Sequence, residues 1–280
     1  MGIESVEEAL TWEQFEKRVS DDIGECERKR QADVDEFASA STRWVYRGHS
    51  DKNWRLDTSL DRYLKSIKKE NGNYKINDYY GLLCAIVPSI HSLTTYRFGK
   101  IDLDNLNYDP WKTPPHYELL SFVRHLGFPS PLLDWSYSPY VAAFFAFSNA
   151  IVLEDKRQPQ DVAIYALQAW TENGQAYMGG DTRINDCGPY VESHGRHYRQ
   201  RGTYTLCTVK KEGNHCLGSY EDVWRQNPEN HQIIKFVISA GEKEKVLSRL
   251  FSMNINDYTL FGDDESLMRM LAFKEFREIW

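Results

Sequence analysis

Residues 131–150, PLLDWSYSPYVAAFFAFSNA, set a carboxylate and three hydroxyls where two apolar runs meet. Polar groups in such a place need partners or a ligand. Asp134, between Leu133 and Trp135, requires donors, and Arg124, His125 or main-chain N–H groups are the local candidates. It can brace the junction or take a direct part in chemistry, and His125 is open in the same way between bracing and ligand contact. Ser136 offers its hydroxyl to a ligand. Ser138, just before Pro139, has instead the pattern of a helix N-cap followed by proline in the first turn. Tyr137, Tyr140, Phe144 and Phe145 supply rings around the junction; helical spacing puts Tyr140 and Phe144 on one face, and at least one of the four faces the core.

Two further stretches offer charge. In VYRG (45–48), Arg47 can fork two N–H donors onto a phosphate while Gly48 allows close backbone approach; the competing reading is a strand-end arginine in a surface ion pair. In RHYRQRGTY (196–204), Arg196, Arg199 and Arg201 surround Gln200 and form a basic cluster in an otherwise acidic chain. That cluster reads either as a solvated charge run or as a surface attracting phosphates or a nucleic-acid acceptor. Other chemistry is disfavoured. GHSDK (48–52) has Lys52 where a nucleophile elbow needs glycine, and neither a phosphate loop nor a dinucleotide fingerprint is present. Five cysteines, Cys26, Cys84, Cys187, Cys207 and Cys216, contain no C-x-x-C pair, and together with His194 and His197 they show no zinc spacing, so reduced thiols and no metal are expected.

The elements that must position these residues follow from periodicity. Thr11 and Gln14 have capping-box spacing ahead of Trp12, Phe15 and Val19 on one face, which predicts a first helix that continues weakly through GECERKRQADVDEFA. RWVYRG reads as a strand, and DKNWRLDTSLDRYLKS as a second short strand running into a helix. KKENGNYKIN is a loop, DYYGLLCAIVPSIHSLTTYRF a helix interrupted near Pro88, and PPHYELLSFVRHLG a helix closed by Gly127. The junction is strand then helix. DVAIYALQAW, YTLCTV and HQIIKFVISA read as strands, GEKEKVLSRLFSMN and DESLMRMLAFKEF as helices, and residues 171–190 as a loop. Strands among helices without regular βαβ alternation predict an α+β fold with a mixed, mostly antiparallel sheet, in a single domain over residues 1–280.

Composition narrows the partners. With 34 basic and 41 acidic residues the net charge is −7, so no global field draws the chain to nucleic acid or anionic lipid. No run approaches the roughly 20 apolar residues of a membrane helix, and neither a signal peptide nor a myristoylation pattern opens the sequence, so a cytoplasmic, non-membrane protein is expected.

Four stretches in order, VYRG (45–48), RHLGFPSPLLDWSYSPYVAAFFA (124–146), RHYRQRGTYT (196–205) and NINDYTLFGDDESLMRML (254–271), together resemble the FRG domain family over about residues 11–272. Tyr46 stands where the family has Phe, Arg124 where it has Gln, Ser136 where it has Thr and Gly262 where it has Pro. The family is itself similar in layout to ADP-ribosyltransferases. That resemblance implies an ADP-ribosyltransferase-like fold that takes NAD as substrate and modifies a macromolecule, RNA or protein, as a bacterial toxin or phage-defence effector held by an antitoxin. It also implies catalytic roles for Arg47, Ser136 and either Gln200 or Glu265, with Arg47, Gly48, His125, Asp134, Tyr137, Tyr140 and Phe144 around NAD. A nucleotide-sensing module without catalysis, suggested by Gln200 in place of an acid, and an NAD glycohydrolase are the alternatives.

Overall fold

The computed structural model describes residues 4–5, 9–21, 43–68, 74–110, 112–150, 160–169, 182–188, 195–221 and 233–277. A short strand β1 (Glu4–Ser5) precedes helix α1 (12–21), which opens with the expected capping box: the Thr11 N–H donates to Gln14 and the Gln14 N–H returns to the Thr11 hydroxyl. Then come β2 (Arg43–His49), α2 (Ser59–Ser66), α3 (Ile76–Leu93), α4 (Tyr117–His125), β3 (Leu132–Ser136) and α5 (Pro139–Ser148). The second half adds β4 (Val162–Ala169), β5 (Thr182–Asp186), α6 (Gly195–Arg199), β6 (Gly202–Lys211), β7 (Asn214–Leu217) and β8 (Ile233–Ile238). Helices α7 (Lys243–Ser252), α8 (Asp257–Phe261) and α9 (Asp264–Arg277) follow.

The sheet runs β1-β8-β4-β2-β3-β6-β5, with β7 also on β6, and is antiparallel except between β1 and β8. The fold is α+β. Its central seam is nearly open: β2 holds β4 through seven residue pairs and β3 holds β6 through five, but β2 meets β3 only at Tyr46 and Ser136.

Residues paired across strands share a face, so Tyr46, Ser136, Asp134 and Leu132 all lie on one side of the sheet. Two cores sit side by side on that face. One packs Tyr46, Ile164 and Phe236 under Trp12, Phe15, Phe147 and Leu250 from α1, α5 and α7. The other packs Leu132, Tyr204 and Leu206 against Tyr79, Leu83 and Leu120 from α3 and α4. The opposite face carries Val45, Trp135 and Tyr165 beneath Leu56 and Tyr220. No helix among the described residues is long and apolar enough to cross a membrane.

Three local expectations change. Helix α3 is not interrupted at Pro88, because Pro88 lies on its exposed side while Val87 and Ile90 keep the packed face continuous. Residues 51–58 form no strand: Thr58 and Asp61 make a buried capping box that starts α2 instead. The stretch 171–190 is not all loop, since Thr182–Asp186 pairs with β6; residues 171–181 and 189–190 lie outside the described residues. The continuation of the first helix beyond residue 21 lies outside them as well. Gly127 does close α4, with φ +86° and the Phe128 N–H returning to the Val123 carbonyl.

Candidate functional site

Where β2 and β3 part, a cleft of about 750 Å³ opens between the helical cores. Arg47, Ser136 and Gln200, separated by up to 153 positions in the sequence, all line it.

Arg47 spans the seam. Its Nη1 donates to the main-chain carbonyl of Asp134 at 2.8 Å and reaches Asp134 Oδ2 at 3.4 Å, while its Nε donates to His49 Nε2 at 3.0 Å. The last bond fixes the imidazole tautomer: with Nε2 accepting, Nδ1 carries the proton and donates to the Trp54 carbonyl at 3.3 Å. Burial, reinforced by the adjacent Arg47 charge, pushes the His49 pKa down to about 3, so the ring is neutral and suited to accept. Most of the Arg47 fork is therefore spent inside the protein, and the expected fork onto a phosphate is not its arrangement here.

Asp134 is a brace that also faces the cleft. Its Oδ2 accepts from Arg124 Nη2 at 2.8 Å, and its side chain keeps 45% exposure. Burial works to raise its pKa, but the Arg124 and Arg47 guanidiniums outweigh it and hold the carboxyl below the usual carboxylate value. His125, also in the lining, pairs through Nε2 with the Tyr204 hydroxyl at 3.0 Å and meets the His197 ring edge to face.

Ser136 joins β3 to the turn before β6. Its hydroxyl donates to the Gln200 carbonyl at 2.7 Å and accepts the Ser138 N–H at 3.0 Å, so this hydroxyl shapes the cleft floor. Ser138 caps α5 as expected, accepting the Val141 N–H, with Pro139 at the first helical position. The Gln200 side-chain amide donates to the Leu260 carbonyl at 3.3 Å and so ties the floor to α8.

Family comparison meets this geometry at its centre. The family model of the FRG domain matches residues 42–154, the span from β2 through α5. The chain carries an FRG domain. No curated protein and no solved structure matches it.

Within the FRG domain, Gly48 serves packing. A Cβ there would stand 1.9 Å from the Ala142 carbonyl oxygen and 2.7 Å from the Ala146 nitrogen, so the missing side chain lets α5 lie directly on β2. That contact sets which ring faces the cleft. Phe145 lines it, whereas the expected Tyr137, Tyr140 and Phe144 do not: Tyr140 packs near Trp12, Phe144 is buried in the core of α1, α5 and α7, and Tyr137 packs against the core on the opposite face of the sheet. Phe261 of α8 meets Phe145 edge to face at 5.9 Å and completes the wall.

Glu265 is not part of the site. It stands on α9, 84% exposed, bound to Arg269. The basic cluster divides: Arg196 lines the cleft, paired with Asp263 and stacked over the Phe261 ring, while Arg199 lies over Gly262, where a Cβ would collide with its guanidinium.

The sequence reading missed His49, Trp54, Arg55, Asp57 and Arg62 in the lining. His49 had a usable signal, since it follows Arg47 by two strand positions and must share its face. Residues 54–62 gave none, because their place at the cleft depends on how the chain returns from β2 to α2. Of the thiols, Cys84, Cys187 and Cys216 are free, Cys26 lies outside the described residues, and burial raises Cys187 well above the ordinary thiol value.

Proposed function

We propose that the chain is an NAD-dependent ADP-ribosyltransferase acting on a macromolecule, RNA or protein, with the seam between β2 and β3 as its active site. One observation carries this reading: Arg47, Ser136 and Gln200, which the family resemblance singles out, converge on one cleft with aromatic walls. Its volume suits a small-molecule site, and its rings and guanidiniums match the flat bases and phosphates of a dinucleotide.

The reaction breaks the bond between the nicotinamide nitrogen and C1′ of its ribose. Nicotinamide leaves with the electron pair, an acceptor nucleophile bonds to C1′ and the acceptor proton is released. The chain must hold the ribose against developing positive charge, and Asp134 is the carboxylate beside Ser136 on the cleft wall. Arg47 and Arg124 keep it ionised and fixed in place.

The same pairs support a second reading, a nucleotide-sensing module without chemistry. The cleft carboxylates Asp134 and Asp57 are both ion-paired, and the third motif offers only the Gln200 amide. Incubation with NAD labelled in its adenosine half and crude lysate, followed by separate nuclease and protease digestion, tests both. Label retained on a macromolecule supports transfer, and its loss to one digestion names the acceptor. Release of nicotinamide without retained label means hydrolysis, and binding without either means sensing.

A further inference from the structure

With most of the Arg47 fork engaged, the cleft needs another anchor for an anionic ligand, and its mouth supplies one. Arg62, exposed on α2 and part of the lining, donates through Nη1 to the Asp57 main-chain carbonyl at 2.7 Å. The Asp57 carboxylate is taken by Lys65 at 2.6 Å. Arg62 forms no ion pair among the described residues, whereas Arg47, Arg55 and Arg196 in the same lining are each matched to a carboxylate. Its charge is felt as far as Arg47 and His49, where it disfavours the protonated form.

Trp54 stands in the same lining with 55% of its surface exposed. An exposed indole on a loop is usually mobile, but this backbone is pinned. The Trp54 carbonyl accepts from His49 Nδ1 and from the Tyr165 hydroxyl at 3.2 Å, and its N–H donates to the Asp51 carbonyl. Lys52 holds the same loop to Asp161 through both backbone and side chain. A large ring held on a fixed backbone loses little freedom on stacking.

We propose that Trp54 and Arg62 form the seat of a nucleoside diphosphate at the cleft mouth, the indole stacking on the base and the guanidinium taking a phosphate. This rests on the reading of the cleft as an NAD site and names the part of it that holds the non-reacting half.

The test is calorimetric titration of the full chain with ADP and, separately, with pyrophosphate. Arg62→Ala should weaken both by about tenfold, the loss of one charge-assisted contact. Trp54→Ala should weaken ADP by about tenfold while leaving pyrophosphate unchanged, and Trp54→Phe should restore ADP. Because the Trp54 hydrogen bonds are made by its backbone and the Arg62 side chain contributes one exposed bond, to the Asp57 carbonyl, these variants should melt close to the parent. Parent-like ADP binding in both alanine variants overturns the seat but leaves the NAD reading standing, as does Trp54→Ala weakening pyrophosphate equally. A parent chain that binds neither ADP nor NAD overturns both, and one that binds a single-stranded oligonucleotide but not ADP overturns the seat in favour of a nucleic-acid surface.

Discussion

The Arg47 guanidinium donates to the Asp134 main-chain carbonyl at 2.8 Å, a side chain standing where the next rung of the β2–β3 ladder would be. One residue thus keeps the seam both open and satisfied. Arg47→Ala leaves that carbonyl and His49 Nε2 without their donor, so it should lower stability by about 1–3 kcal/mol in urea denaturation. Arg47→Lys should recover only part, because an ammonium cannot span His49 and Asp134 with one planar fork.

His49 gives a pH signature. Its folded pKa of about 3 lies below the ordinary 6.5, so between those values the unfolded chain binds the extra proton and stability falls as pH falls. Above 6.5 His49 adds no slope. The parent should therefore lose stability relative to His49→Gln as pH falls from 6.5 toward 3, while the difference between them stays constant above 6.5.

Asp134 acts in a lower window. Its pKa is held below the ordinary 3.8, so its ionised form contributes stability above that value and loses it as pH falls through the folded value. The advantage of the parent over Asp134→Asn should be constant at neutral pH and shrink only below 3.8. An advantage already fading near pH 6 would mean that the carboxylate is not held by Arg124 and Arg47.

Gly48→Ala drives a methyl into the backbone of α5 rather than into a movable side chain. Chemical denaturation should show a loss of roughly 1–3 kcal/mol or more, and the Phe145 wall should shift, weakening ADP together with stability.

Glu265→Gln removes an exposed partner of Arg269 and nothing in the cleft. NAD turnover should stay within about twofold of the parent, since surface pairs of this kind contribute little. A loss comparable to that of Gln200→Ala would place α9 in the site after all.

The convergence of Arg47, Ser136 and Gln200 was legible because each belongs to a short motif in fixed order. The choice of ring was not. PYVAAFFAFS is apolar on nearly every side, so no stripe in it distinguishes Phe144 from Phe145; the decision is made by Gly48, which seats Ala142 and Ala146 on β2. TRIND reads as loop because its strand character comes from five pairs with β6, whose partner residues lie 19 to 27 positions further on. Trp54 and Arg62 gain meaning only when the path from β2 to α2 carries them to the cleft mouth.

The near-open seam also governs what can be cut from the chain. A fragment trimmed to residues 42–154, the span matched by the FRG domain, keeps the single rung between Tyr46 and Ser136 and forfeits all seven between β2 and β4 and all five between β3 and β6. Both strands would then present bare edges to water and to other chains, an arrangement that invites edge-to-edge aggregation. The matched segment is thus a signature without autonomy, and a usable recombinant piece must extend at least through β6 and β8.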